Sequence, residues 1–166
     1  LTMSVRPGGC REALWGVFDG HRSHEVAGHA ARLVSDFVWA SPHWPASPGD
    51  ALRGALRQCH ESAREEKLRG GCTAVVLAAA GSTLWCCSAG DSGAVAGLDC
   101  GDVRRLSVDH RADSPEEVDR IRAAGASLEW GSVGGMLPMT RGIGNFDLES
   151  SGFACLPEVR QVPQDE

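Results

Sequence analysis

The chain has 166 residues, of which 42% are hydrophobic, and its 22 acidic and 16 basic residues leave a formal net charge of −6. That length suits one domain with a real core, here taken as positions 1–166. The acidic balance excludes a nucleic-acid footprint, which needs a clustered basic face, and groupings such as Arg104-Arg105 are too small to make one. The longest apolar run, Ala74 to Ala80, is too short to span a bilayer, so no membrane partner is expected. Seven cysteines, an odd number without a Cys-x-x-Cys pair, predict reduced, mostly buried thiols in an intracellular compartment.

In chain order, Ala13 to Phe18 is an apolar run that predicts a buried strand, ended by Asp19-Gly20. Val26, Ala30, Leu33, Val34, Phe37 and Val38 recur at helical spacing and predict a helix from His24 to about Trp39. A second helix is predicted from Asp50, as its N-cap, to about Leu68, with Gly70-Gly71 closing it. Thr73 to Ala79 and Ser82 to Ala89, separated by Ala80-Gly81, give a hairpin signal. Strands over Gly93 to Leu98 and Val103 to Leu106 follow, joined by a turn at 99–102. Ser114-Pro115-Glu116-Glu117 has the pattern of a helix start, with a capping serine, proline at the first position and acids in the first turn. That helix is expected to end near Gly125, with short strands around Leu128 and Leu137. Helices set among antiparallel hairpins make an α+β fold.

Two strand ends carry chemistry. Asp19-Gly20-His21 places a carboxylate on rigid backbone, a glycine that allows close approach, and an imidazole able to pass a proton. Such an aspartate suits a hard divalent cation, Mg²⁺ or Mn²⁺. Gly90-Asp91-Ser92 repeats the arrangement after the second hairpin strand. Each stretch alone is equally a plain turn with exposed polar side chains. The two carboxylates can share a site if their strands lie side by side. The remaining polar and aromatic groups read as structure. The five tryptophans suit core or core-edge packing, and His24, His29 and His60 suit surface or supporting positions. Cys86-Cys87 alternate faces of one strand, placing at most one in the core, and Glu116-Glu117 suit a solvated helix start.

Together these segments resemble the metal-dependent type 2C protein serine/threonine phosphatases. Phe18-Asp19-Gly20-His21 is similar to the family's first signature. Gly71-Cys72-Thr73-Ala74, Leu84 through Ser92, and Leu106-Ser107-Val108-Asp109-His110 follow in the family's order. Pro115-Glu116 with Arg120-Ile121 and Gly125, Thr140 to Asp147, and Pro157-Glu158-Val159 continue it, so the resemblance covers about positions 13 to 160. It implies two packed antiparallel β-sheets flanked by helix pairs, incomplete at both ends here. It implies a binuclear Mg²⁺ or Mn²⁺ site whose metal-activated water hydrolyses phosphoserine or phosphothreonine in a phosphoprotein substrate. Carried over by position, Asp19 would bridge the metals, Gly20 would offer its carbonyl, and Asp91 would serve a third, weaker metal. His21 would be the general acid, and Arg141 matches an arginine near the active-site edge.

The sequence also departs from the family. Its Gly-Asp-Ser-Arg ends here in Gly93, its later Gly-Asp reads Gly144-Asn145, and the glycine after Asp-Gly-His is Arg22. The family's N-terminal arginine and Glu-Asp pair, and its later Asp-Gly-x-x-Asp and Asp-Asn, have no counterpart in these residues. Two explanations follow. The chain is an internal piece of a longer phosphatase, or it is a catalytically inactive relative that serves as a scaffold or docks a protein partner in a larger assembly.

Overall fold

The apolar hairpin organises the structure, a computed structural model that describes residues 1–6, 12–97 and 101–162. Its arms, β5 (Ala74–Ala80) and β6 (Thr83–Ala89), are flanked by β2 (Glu12–Val17) and β1 (Thr2–Val5) on one side and β10 (Glu158–Val162) on the other. The order β1-β2-β5-β6-β10 is antiparallel throughout. Helices α1 (Glu25–Trp39) and α2 (Pro48–Glu65) lie against one face. Val26, Ala30, Val34 and Val38, spaced one helical turn apart, form a fully buried stripe on α1. They meet Leu52, Leu56 and Cys59 of α2 and Leu14, Val76, Ala78 and Cys87 of the sheet.

Near one end of this sheet lie three two-residue strands, β3 (Gly20–His21), β4 (Gly71–Cys72) and β9 (Ile143–Gly144), paired in the order β3-β4-β9. The opposite face of the large sheet is covered in part. Val75, Cys86, Leu106 and Val162 form a second cluster there, with Ala94 and Ala96 beside the hairpin β7 (Val95–Gly97) and β8 (Val103–Arg105). Toward β1 and β2 the same face leaves Met3, Val5, Trp15 and Val17 exposed. A third cluster joins α3 (Pro115–Ala123) to the 3-10 helix Phe146–Ser151 through Ile121, Val133, Leu137, Leu148 and Phe153.

The α+β expectation holds, with corrections. Helix α2 begins at Pro48 behind Ser47, because proline suits the first helical position, and Asp50 instead pairs with Arg53 at 2.8 Å. Around Leu128 and Leu137 there are isolated bridges, Glu129↔Ser132 and Val133↔Leu137, rather than strands. Gly131, Gly134 and Gly135 all take positive φ there and turn the chain too tightly for a ladder. Cys86 and Cys87 are both buried, since each face of β6 is covered. His29 and His60 are buried rather than superficial, and so is Glu117. Trp44 is core, whereas Trp130 is almost wholly exposed. The turn at 99–102 falls partly outside the described residues, as do Cys10 and Cys100.

Candidate functional site

The registers bring the two acidic strand ends together. Val17 pairs with Val75 and Ala74 with Ala89, so Asp19 after β2 and Asp91 after β6 leave the sheet at the same end, with the start of β5 between them. Buried Thr73 joins both loops. Its N–H donates to the Asp19 carbonyl at 3.0 Å, and its hydroxyl lies 2.5 Å from Ser92 Oγ. Gly90 takes φ +108, and a Cβ there would lie 2.7 Å from Thr73 Cγ2, so this loop needs glycine. Thr73 stood in the sequence as part of a signature, but its role as a clamp needed the strand register.

The two carboxylates have different surroundings. Asp19 is exposed, and among the described residues its carboxylate meets no hydrogen-bond donor or ion-pair partner. Asp91 Oδ2 accepts a hydrogen bond from Arg111 Nη1 at 2.7 Å. Beside it, the buried His110 lies along Gly90: its backbone N–H donates to the Gly90 carbonyl at 2.9 Å, and Nδ1 lies 3.1 Å from the same oxygen. Among the described residues His110 Nε2 has no hydrogen-bond partner, and it lies 3.5 Å from Glu158 Oε2.

His21 is held by residues that depart from the family pattern. Asn145, buried and left-handed at φ +51, points Nδ2 at His21 Nε2, 2.6 Å away. Arg22, also at positive φ, donates to both oxygens of Asp147 at 2.9 and 2.7 Å and to Asn145 Oδ1 at 3.4 Å. With Oδ1 facing the guanidinium, the amide N–H faces the imidazole, and His21 Nε2 accepts it. Burial lowers the pKa of His21, opposed by the adjacent Asp19. Next to these residues is a cleft of about 420 Å³ lined by Arg22, Leu68, Arg69, Phe146 and Asp147.

His60, which the sequence left among supporting residues, fastens this segment to α2. Its Nδ1 accepts the Gly144 N–H at 3.1 Å, and Nε2 donates to Glu149 Oε1 at 3.1 Å. Burial lowers its pKa against the pull of Glu149. Phe146 packs edge-on to its ring at 5.0 Å, with the Arg64 guanidinium 4.4 Å from the Phe146 centroid. Asn145 is thereby fixed from a helix far away in sequence.

Arg141 has a buried partner. Its Nε donates to Glu117 Oε1 at 2.9 Å, Nη2 donates to the same oxygen, and Nη1 donates to the Leu156 carbonyl at 3.0 Å. Arg120 Nε at 3.0 Å and the Thr140 hydroxyl at 2.5 Å donate to Glu117 Oε2. Burial alone would raise the Glu117 pKa. The hydrogen bonds from Arg141 and Thr140 and the two guanidinium charges overcome it and hold the group at about 2. This corrects the solvated helix start, since Glu117 is a fully bonded buried anion.

A hard divalent cation takes about six oxygen ligands. Among the described residues no group of three or more His, Cys, Asp and Glu is placed to hold one. Among the described residues Asp19 offers a carboxylate with no hydrogen-bond donor, Asp91 is paired with arginine, and position 145 carries a neutral amide. On their own, these residues do not fit a pair of metal ions. The described cysteines are free thiols, and burial pushes Cys59 and Cys155 up to about 12. Among the described residues no helix is long and apolar enough to cross a membrane.

Comparison with known proteins places this geometry. The chain is 34% identical over 148 residues to protein phosphatase 2C homolog 2 of Hypocrea jecorina, an alignment covering 85% of the chain and 33% of that protein. It is 37% identical over 142 residues to the human probable protein phosphatase 1N, covering 81% of the chain and 33% of that protein. The chain thus spans about a third of the length of these relatives. A crystal structure of serine-threonine phosphatase 2C from Toxoplasma gondii shares the fold, with a TM-score of 0.80 at 22% identity, over 96% of this chain and 66% of that one. The family model for protein phosphatase 2C matches residues 6–166, so the strand-end aspartates, the hairpin between them and the flanking helices are those of a protein phosphatase 2C family member.

Proposed function

We propose that the chain carries one side of a type 2C protein serine/threonine phosphatase site, serving metal-dependent hydrolysis of phosphoserine and phosphothreonine in proteins. The observation that supports this most is the exposed carboxylate of Asp19, without a hydrogen-bond donor or ion-pair partner among the described residues, at an end of β2 held by the Thr73 clamp. In this reading Asp19, with the Gly20 carbonyl, faces the metals, and His21 stands on the leaving-group side. Arg141 acts as a positioning residue that locks α3 to the 140–156 segment. The reading requires further carboxylates from outside these 166 residues.

A second reading, a phosphatase-like module that docks a protein partner without hydrolysing it, is favoured by one specific feature. Arg22 and Asn145 put a bulky cation and a neutral amide where the family has glycine and aspartate, and both contact the His21 surroundings. The test is hydrolysis of a phosphothreonine peptide by the complete natural polypeptide in Mn²⁺. Under the first reading activity is present and Asp19→Asn lowers it about a hundredfold or more. A folded wild type with no turnover supports the second reading, and full activity in Asp19→Asn defeats the assignment of Asp19.

A further inference from the structure

We propose that Arg111 is the resident cation of Asp91 and that this carboxylate is closed to divalent ions. The inference rests on the phosphatase reading only for the role it removes, since a family-based transfer makes Asp91 a ligand of a third, weaker metal.

The pairing is built in by backbone. His110 donates to the Gly90 carbonyl from its N–H at 2.9 Å, which sets Arg111 alongside Asp91. The same segment is held from its other side. Thr140 N–H donates to the His110 carbonyl at 2.9 Å, Ala112 N–H donates to the Pro138 carbonyl at 2.8 Å, and Arg111 bridges Met139. From this fixed backbone Arg111 Nη1 reaches Asp91 Oδ2 at 2.7 Å. With the guanidinium in place Asp91 is 22% exposed and Arg111 41%.

A second guanidinium, from the end of β8, reaches the same loop at Gly93. A Cβ added to Gly93 would lie 3.5 Å from Arg105 Nη2 and 3.8 Å from its Cζ. Arg105 therefore fills the space beside the position where the family has its own arginine. It is kept there by Asp109 and by the Ser107 carbonyl at 3.3 Å. An ion approaching Asp91 meets the Arg111 guanidinium on the carboxylate itself, while Arg105, paired with Asp109, occupies the space at Gly93. The neighbouring oxygen, Ser92 Oγ, is already bonded to Thr73. A cation that needs several oxygens finds a single carboxylate, whose Oδ2 is already bonded to Arg111. Asp91 instead ties the end of β6 to the segment that follows β8.

The experiment counts Mn²⁺ sites by electron paramagnetic resonance titration of the complete natural polypeptide and its variants. Asp91→Asn is expected to bind as many Mn²⁺ ions as the wild type. Arg111→Gln is expected to gain one weak site that the double variant with Asp91→Asn loses again, and Arg111→Lys, which keeps the cation, to gain none. Loss of a site in Asp91→Asn, or no gain in folded Arg111→Gln, would overturn the proposal. Should Arg111→Gln misfold, the comparison of Asp91→Asn with wild type decides. Asp19→Asn, run alongside, reports on the phosphatase reading separately, because its effect does not depend on Asp91.

Discussion

Removing the charge of Glu117 tests how the fold holds the 140–156 segment against α3. Glu117→Gln keeps the shape of the side chain but leaves Arg120 and Arg141, each less than a fifth exposed, facing each other without their anion. The displacement of its pKa from 4.5 to about 2 measures how much the folded state prefers the charged form, about 3 kcal/mol at 1.36 kcal/mol per unit. Losing one partner of a buried pair costs a similar amount, roughly 3–5 kcal/mol. The folded pKa lies below the unfolded value, so the contribution is complete above about pH 4.5 and is lost as pH falls toward 2. Urea unfolding should therefore show Glu117→Gln less stable than wild type by about 3 kcal/mol at pH 7, with the gap closing as pH falls from 4.5 toward 2. The exposed neighbour, as Glu116→Gln, should leave the midpoint where it is. A Glu117→Gln protein within 1 kcal/mol of wild type at pH 7, or a gap that ignores pH, refutes the reasoning.

Three further outcomes follow from packing. Gly71→Ala places a methyl group against the Asn145 amide, so it should displace that amide from His21 and shift the His21 ring resonances in nitrogen-detected NMR while the helices persist. Leu56→Ala, at a fully buried site between α2 and the sheet, should lower stability by about 2–5 kcal/mol in the same urea assay. Cys59 and Cys86, with pKa values raised to about 12 and about 11, and the buried Cys72 and Cys87 should resist iodoacetamide at pH 8 in the native chain. All four should label in urea, as peptide mapping by mass spectrometry would show.

What could be read in the sequence follows the range of the interactions. The α1 stripe and the hairpin Ala74–Ala89 are local patterns, and both appear where periodicity puts them. Asp19 and Asp91 were visible as strand-end acids, because glycine next to an acid after an apolar run is itself a local signal. The small sheet was not, since Gly71 pairs with Gly144 across 73 positions through strands of two residues. Glu117 carries the same helix-start pattern as a solvated acid, and only the arrival of Arg141 and Thr140 makes it a buried anion. The partners of Asp91 and Asn145 were hidden for the same reason. Arg111 reaches its carboxylate by pairing of His110 with Gly90, and Arg22 meets Asn145 from 123 residues away. Burial of both Cys86 and Cys87 was not expected, because alternation tells which side a residue faces but not what covers that side.

Anomalous diffraction at the manganese edge, from crystals of the complete natural polypeptide soaked in Mn²⁺, tests most directly the claim that Asp19 is the metal-facing carboxylate. A manganese peak within coordination distance of the Asp19 carboxylate, and none at Asp91, is expected. A map with no manganese at Asp19, in crystals that hold the ion elsewhere, would contradict it.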